Sequence, residues 1–349
     1  MSLSVSPRVV LVGPGRWGSR YVAALQRHAA LAAVVTSRAE TADLHAARLG
    51  VLAGCSLPAV LEALRDRGTP ADAVAVLSPD GCHDGHARQA LAARLPTLVI
   101  KPVTGSAELA TQLGRDFAAA GVWLLAVHEA LWSRPMAQLW RAVEMGEVGT
   151  PQTLTIVRQQ APDPTAGAPD AVDGADFDWL QGMLVHDASI ALNLGDPDAA
   201  DIPTAWLDHV WASARAPQLR AGWRGGSWSV DLSWRTAADL PWGLVVQVRG
   251  SHGALRLVAV EGDVRCERAV RGGVERLARP SGGLGAAEDE VVGAWLDVVA
   301  ALCAGTPLAE ATRGRWLPGA QAQWAAAANA WARALRRLAE HPADRENPR

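Results

Sequence analysis

Residues 8–18 read RVVLVGPGRWG. Arg8–Val12 is a short β-branched run that stops at a glycine, the pattern of a buried strand. Gly13, Gly15 and Gly18 then stand at the first, third and sixth positions of a turn leading into a helical pattern over Arg16–His28. In such a turn the first glycine makes the tight bend. The second lets the backbone approach a pyrophosphate, and the third lets the helix close on the strand. The helix N-terminus faces the phosphates. Arg16 and Trp17 fill the remaining places and join the glycines as candidate dinucleotide contacts. A merely tight turn is the plainer alternative.

Outward from this stretch, strands alternate with helices. Strands are expected at Leu31–Thr36, Ala73–Leu77, Thr97–Ile100 and Val122–Val127. Helices are expected at Glu40–Leu49, Pro58–Arg67, Gly85–Arg94 and Ser106–Ala120. Continuously apolar strands joined by helices imply an α/β architecture with a parallel, doubly wound (Rossmann) sheet over residues 1–130. Its ligands belong at the carboxyl ends of the strands.

The texture changes near Gly149, after a helix over Pro135–Met145. In Ser227–Arg235, Trp228, Val230, Leu232 and Trp234 alternate with Ser229, Asp231 and Ser233. That period of two marks a sheet with one covered and one more polar face. Leu244–Arg249 and Ala254–Val260 continue it. Residues 131–341 are therefore expected to form a C-terminal α+β domain with a large mixed or antiparallel sheet. Helices at Asp289–Cys303 and Gly319–Leu338 are expected to pack back on the first domain. Ala161–Asp176 reads as a long loop ahead of a helix near Leu184, and 342–349 as a disordered tail.

Composition narrows the function. The chain has 349 residues, 49% of them hydrophobic, and a net charge of −3. No basic cluster accompanies its fifteen tryptophans, so they read as core and nucleic acid is excluded as a partner. Met1–Val12 lacks the features of a signal peptide, and no apolar run reaches the roughly 20 residues of a membrane span. Cys55, Cys82, Cys266 and Cys303 have no metal-ligand spacing. A cytoplasmic protein of a reducing compartment, with no membrane partner and no metal, is expected.

Lys101 is the only lysine in the chain. It follows a strand end in Ile100-Lys101-Pro102, on the edge where ligands bind. Unlike arginine, lysine can release a proton when its surroundings allow. It could therefore hydrogen-bond a substrate oxygen and help move its proton. A surface lysine, or the chance survival of one codon, is the alternative. Ser78-Pro79-Asp80-Gly81-Cys82-His83 makes a turn on the same edge, so Ser78, Pro79, His83 and Pro102 join the candidate cofactor contacts. His83 and His86 have no third partner for a metal and read as helix-start and cofactor-loop residues. After Leu31–Thr36 no acidic residue follows to hold a ribose hydroxyl. Ser37 and Arg38 instead suit a 2′-phosphate, which favours NADP while leaving NAD possible. A solvent-facing arginine is the alternative.

Taken together, GPGRWG (13–18), SPDGCH (78–83), IKPV (100–103) and LVHDASIALNLGDP (184–197) resemble the glucose–fructose oxidoreductase/inositol dehydrogenase/MocA family. HEALWSRP (128–135) and EDEVVGAWLDVVAALCAGTPL (288–308) extend the resemblance over most of the chain. The family's Glu-Lys-Pro motif is matched with Ile100 in place of glutamate. Its second hallmark, an aspartate four residues before a histidine, is matched only in His186, because the aspartate position is Gly182. The resemblance implies Lys101 and His186 as catalytic residues; a helix-start histidine without chemistry is the alternative for His186. Neither Asp178 nor Asp187 is an obvious substitute for the missing aspartate. Trp132 stands where the family often has an arginine, which implies a less polar substrate pocket. The implied function is NAD(P)-dependent oxidoreduction, expected as NADPH-linked reduction, or the reverse oxidation, of a sugar, polyol or nucleotide-sugar. An imine reductase and a non-catalytic NAD(P)-binding regulator are the alternatives. The resemblance also implies a homo-oligomer, a dimer or tetramer, formed through the outer face of the second sheet.

Overall fold

The protein was analysed as a computed structural model that describes residues 6–104, 107–161, 185–187, 189–191, 206–211, 218–225, 228–236, 240–261, 263–270, 273–277 and 287–312. Expectations for Gly182, Asp178, most of the 161–176 loop, the 319–338 helix and the 342–349 tail lie outside these residues. The described residues fall into two compact units. One runs to Glu129 and resumes at Glu288, and the other is drawn from Ala130–Ala287.

The first unit is built on six parallel strands: β1 (Val9–Val12), β2 (Leu31–Val35), β3 (Leu52–Gly54), β4 (Ala73–Val76), β5 (Thr97–Ile100) and β6 (Leu124–Val127). Their order is β3-β2-β1-β4-β5-β6. The strand order reverses between β1 and β4, and that switch point is where a doubly wound sheet opens a ligand crevice. Val9, Val10 and Leu11 are wholly buried, as are Val74, Val76, Leu98 and Val99. Each such side chain contributes roughly 1.5–3 kcal/mol relative to exposure. This explains why short, continuously apolar runs suffice as strands.

Helices α1 (Gly18–Arg27), α2 (Ala39–Leu49), α3 (Leu57–Asp66), α4 (His83–Ala92) and α5 (Ala107–Ala119) make the crossovers. Ser56 caps α3 by accepting a 3.5 Å hydrogen bond from the Ala59 amide, and Pro58 stands in its first turn. α1 starts at Gly18, two residues later than the pattern suggests, because residues 15–17 stay in the glycine turn. β3 is an addition to the expected strands.

The second unit opens with α6 (Glu129–Trp132) and α7 (Arg134–Glu144). Ser133 caps α7 by accepting from the Met136 amide at 3.4 Å. Eight strands follow: β7 (Pro151–Gln160), β8 (Trp206–Trp211), β9 (Gln218–Gly225), β10 (Trp228–Thr236), β11 (Gly243–Gly250), β12 (Gly253–Val260), β13 (Asp263–Val270) and β14 (Gly273–Arg276). The sheet order is β14-β13-β12-β11-β7-β10-β9-β8. The sheet is mixed: β7 and β10 run parallel and the other neighbours antiparallel. The expected alternation holds in β10, where Val230 and Leu232 are buried between half-buried Ser229, Asp231 and Ser233.

α8 (Ala287–Cys303) returns the chain to the first unit from Glu288 onward, with Val291, Trp295, Val298 and Val299 wholly buried, and α9 (Leu308–Ala311) follows. Glu288 and Asp289 complement the positive N-terminal end of α8 and pair with Arg20 and Arg27 of α1 at 3.0 and 2.9 Å. Among the described residues no helix is long and apolar enough to cross a membrane.

Candidate active site

The glycine turn shows why each glycine is required. Gly13 has φ +88°, and a Cβ there would stand 2.5 Å from the Ser78 amide nitrogen. A Cβ on Gly18 would collide with the Gly13 carbonyl at 2.0 Å. Gly15 differs, because a Cβ there would meet no atom within 4 Å. Among the described residues no contact demands glycine at 15, whereas close approach of a pyrophosphate would. The turn therefore fits a dinucleotide, with the amides at the start of α1 as its donors. Trp17 is half exposed and stacks under the Arg20 guanidinium at 4.5 Å.

Ser37 and Arg38 lie exposed after β2. The Thr36 hydroxyl donates to the Arg38 carbonyl at 2.9 Å and shapes the turn, and Arg38 precedes the first turn of α2. Ser78 is buried after β4, its hydroxyl 3.0 Å from His86 Nδ1. The His83 ring points inward. It is wholly buried, with Nδ1 2.6 Å from the Pro102 carbonyl and Nε2 2.6 Å from the Ser78 carbonyl. Both ring nitrogens are thus engaged by the protein, and neither is turned to a cofactor. The His86 imidazole is held below its usual range, by burial first and by His83 second.

Lys101 is half-buried beyond β5, and its amide donates to the Val127 carbonyl at 3.1 Å. The β5–β6 register sets Ile100 beside Val127, which brings the next residues, Lys101 and His128, to the same edge. His128 is buried and its pKa is pushed down to about 3, by desolvation first and the Lys101 charge second. It is a neutral imidazole at working pH. Glu129 is shifted upward by burial, and the Lys101 charge pulls the other way. The Tyr21 hydroxyl donates to Glu129 Oε1 at 3.5 Å, and burial and then Glu129 raise that phenol well above its usual range. Sequence reasoning passed over His128, Glu129 and Tyr21. One signal was present, since Tyr21 is the chain's only tyrosine.

Gly13, Gly15, Gly18, Ser78, Pro79, His83, Lys101 and Pro102 therefore share one end of the first sheet, and Ser37 and Arg38 follow the neighbouring β2. His186 belongs to the second unit. It is half-buried in a helical stretch formed by residues 185–187 and 189–191, and its carbonyl accepts from the Ser189 hydroxyl at 2.6 Å. Asp187 is turned away into the sheet. It is wholly buried and meets Arg158 of β7 through hydrogen bonds of 2.6 and 3.0 Å. Trp132 is buried as well. Among the described residues no group of three His, Cys, Asp or Glu side chains could hold a metal ion.

Comparison with known proteins bears on the fold and on dinucleotide binding. Residues 7–128 match the GFO_IDH_MocA model, described as an oxidoreductase family with an NAD-binding Rossmann fold. Over these residues the chain resembles the NAD-binding domain of that oxidoreductase family. Solved structures extend the likeness of fold over both domains. An inositol dehydrogenase homologue from Azotobacter vinelandii, complexed with NADH and myo-inositol, is 17% identical with a TM-score of 0.74 and 96% of each chain covered. A UDP-N-acetylglucosamine 3-dehydrogenase from Acidithiobacillus ferrooxidans is 18% identical with a TM-score of 0.72, over 96% of this chain and 98% of that one. An oxidoreductase from Agrobacterium radiobacter, in complex with NAD+, L-tartaric acid and magnesium, is 16% identical with a TM-score of 0.70, over 97% of both chains. No curated protein sequence matched.

Proposed function

We propose that this protein moves hydride between NADP and a hydroxyl- or carbonyl-bearing carbon of a sugar, polyol or nucleotide-sugar, with Lys101 handling the substrate proton. The observation that carries this reading is the placement of the chain's sole lysine. It stands half-buried on the sheet end that bears the glycine turn, beside a neutral buried imidazole and a half-buried glutamate.

When bound, the cofactor supplies the hydride chemistry at its nicotinamide. Gly13, Gly15 and Gly18 give the pyrophosphate room, and Ser37 and Arg38 take the 2′-phosphate. The Lys101 ammonium orients the substrate oxygen and gives it a proton in reduction, and in oxidation the neutral amine takes the proton. His128 excludes water from the lysine's flank without adding a second charge. Glu129 supplies the facing carboxyl, held by Tyr21. His186 is the secondary acid–base candidate. The outer face of the second sheet pairs copies of the chain.

The test is nicotinamide turnover on a panel of sugars and polyols with both cofactors, in the native protein and in Lys101→Met. Turnover that needs Lys101 supports the assignment. Cofactor binding without turnover on any of them would favour a regulator.

A further inference from the structure

We infer that His83 is a positioning residue that braces Lys101 against the cofactor turn; the inference rests on the role proposed for Lys101. His83 opens α4, and its ring is wholly buried between two backbone turns. One nitrogen lies 2.6 Å from the carbonyl of Pro102, the residue after Lys101. The other lies 2.6 Å from the carbonyl of Ser78, the residue packed against Gly13. The contacts thus form one path: glycine turn, Ser78, His83, Pro102, Lys101.

The chemistry of the ring suits a brace. Carbonyl oxygens accept and never donate, so both contacts are hydrogen bonds only when both ring nitrogens carry protons. No other side chain of this size offers two in-plane donors facing opposite ways. Glutamine or asparagine would turn an amide oxygen toward one of the carbonyls. The brace also spans β4 and β5, so it fixes the lysine turn relative to the switch point and not merely to its own strand. A displacement of about 1 Å at a reacting group can cost about 10²-fold in rate, which is the scale on which such a brace matters.

The sole lysine makes the test specific. A short-lived amine-acylating reagent labels one side chain, and peptide mass separates it from the α-amino group. Labelling of Lys101 in the full chain is compared among the native protein, His83→Ala, His83→Gln and Leu64→Ala. Leu64→Ala is a control that removes core packing in α3, away from the turn. Both His83 variants should label several-fold faster than the native protein, with Leu64→Ala unchanged. Their kcat should fall by about 10²-fold while cofactor affinity, read by tryptophan fluorescence, stays within a few-fold. If His83→Ala does not fold, His83→Gln carries the same comparison. Native labelling rates in the His83 variants would overturn the inference, and so would equal acceleration by Leu64→Ala. Faster labelling in a protein whose native turnover does not need Lys101 would uphold the brace and remove the role proposed for the lysine.

Discussion

Arg158 and Asp187 form a buried ion pair in which the guanidinium donates from Nε at 3.0 Å and from Nη2 at 2.6 Å to the carboxylate. The pair ties the residue beside His186 to the C-terminal part of β7. Removing one partner strands a buried charge, which typically costs about 3–5 kcal/mol. Asp187→Ala should therefore lower urea stability by that amount. The double replacement Arg158→Met with Asp187→Leu should recover most of it. Failure of the double variant to recover would show that the pair adds more than charge compensation.

Lys101→Met should lower kcat by about 10²–10⁴-fold, the usual cost of losing a positioned acid–base group. Lys101→Arg should not restore it, because a guanidinium does not release its proton. His186→Ala should cost clearly less. Steady-state kinetics on any accepted substrate decides the order, and near-native turnover by Lys101→Met would refute the assignment.

Arg38→Ala should weaken NADPH binding and leave NADH binding nearly unchanged. A charge-assisted contact of this kind is typically worth about 1.5–3 kcal/mol. Fluorescence titration with both cofactors measures the difference, and equal losses would remove Arg38 from the site.

His128 makes stability depend on acidity. Its imidazole is neutral in the folded protein down to about pH 3, whereas an unfolded histidine takes a proton near 6.5. Between these values the unfolded chain binds the extra proton, so stability falls as pH falls. The slope from this one group approaches about 1.4 kcal/mol per pH unit. His128→Phe should flatten the acid side of the profile between pH 6.5 and 5, as read by urea melts at stepped pH.

Much of the first unit was legible because its constraints are local. Gly18 is demanded by a contact within the turn itself and Gly13 by its positive φ, and Lys101 was exposed as a candidate by being alone of its kind. β3 was missed because Leu52–Gly54 is too short and too partly buried to show a period. The bond from Arg158 to Asp187 was also illegible. An arginine in a strand that otherwise alternates gives no sign that its partner lies on a helical stretch after a long connection. The inward turn of His83 was hidden for a similar reason. Its two acceptors are backbone carbonyls, and any residue at 78 or 102 would supply one.

The single parallel pairing in the second sheet bears on how that sheet assembles. β8–β10 form one antiparallel meander and β11–β14 another, each joining strands that are neighbours in sequence. Only β7 touches both, and its pairing of Thr153 with Ser229 bridges a long stretch of chain. Local hairpins close quickly, while pairings across long loops wait on a larger entropic search. β7 is thus the last seam to be sewn. Because Arg158 rides on it, the grip on Asp187 closes only once the two halves of the sheet have been joined, and a chain stalled at that step would keep its hairpins while leaving His186 unanchored.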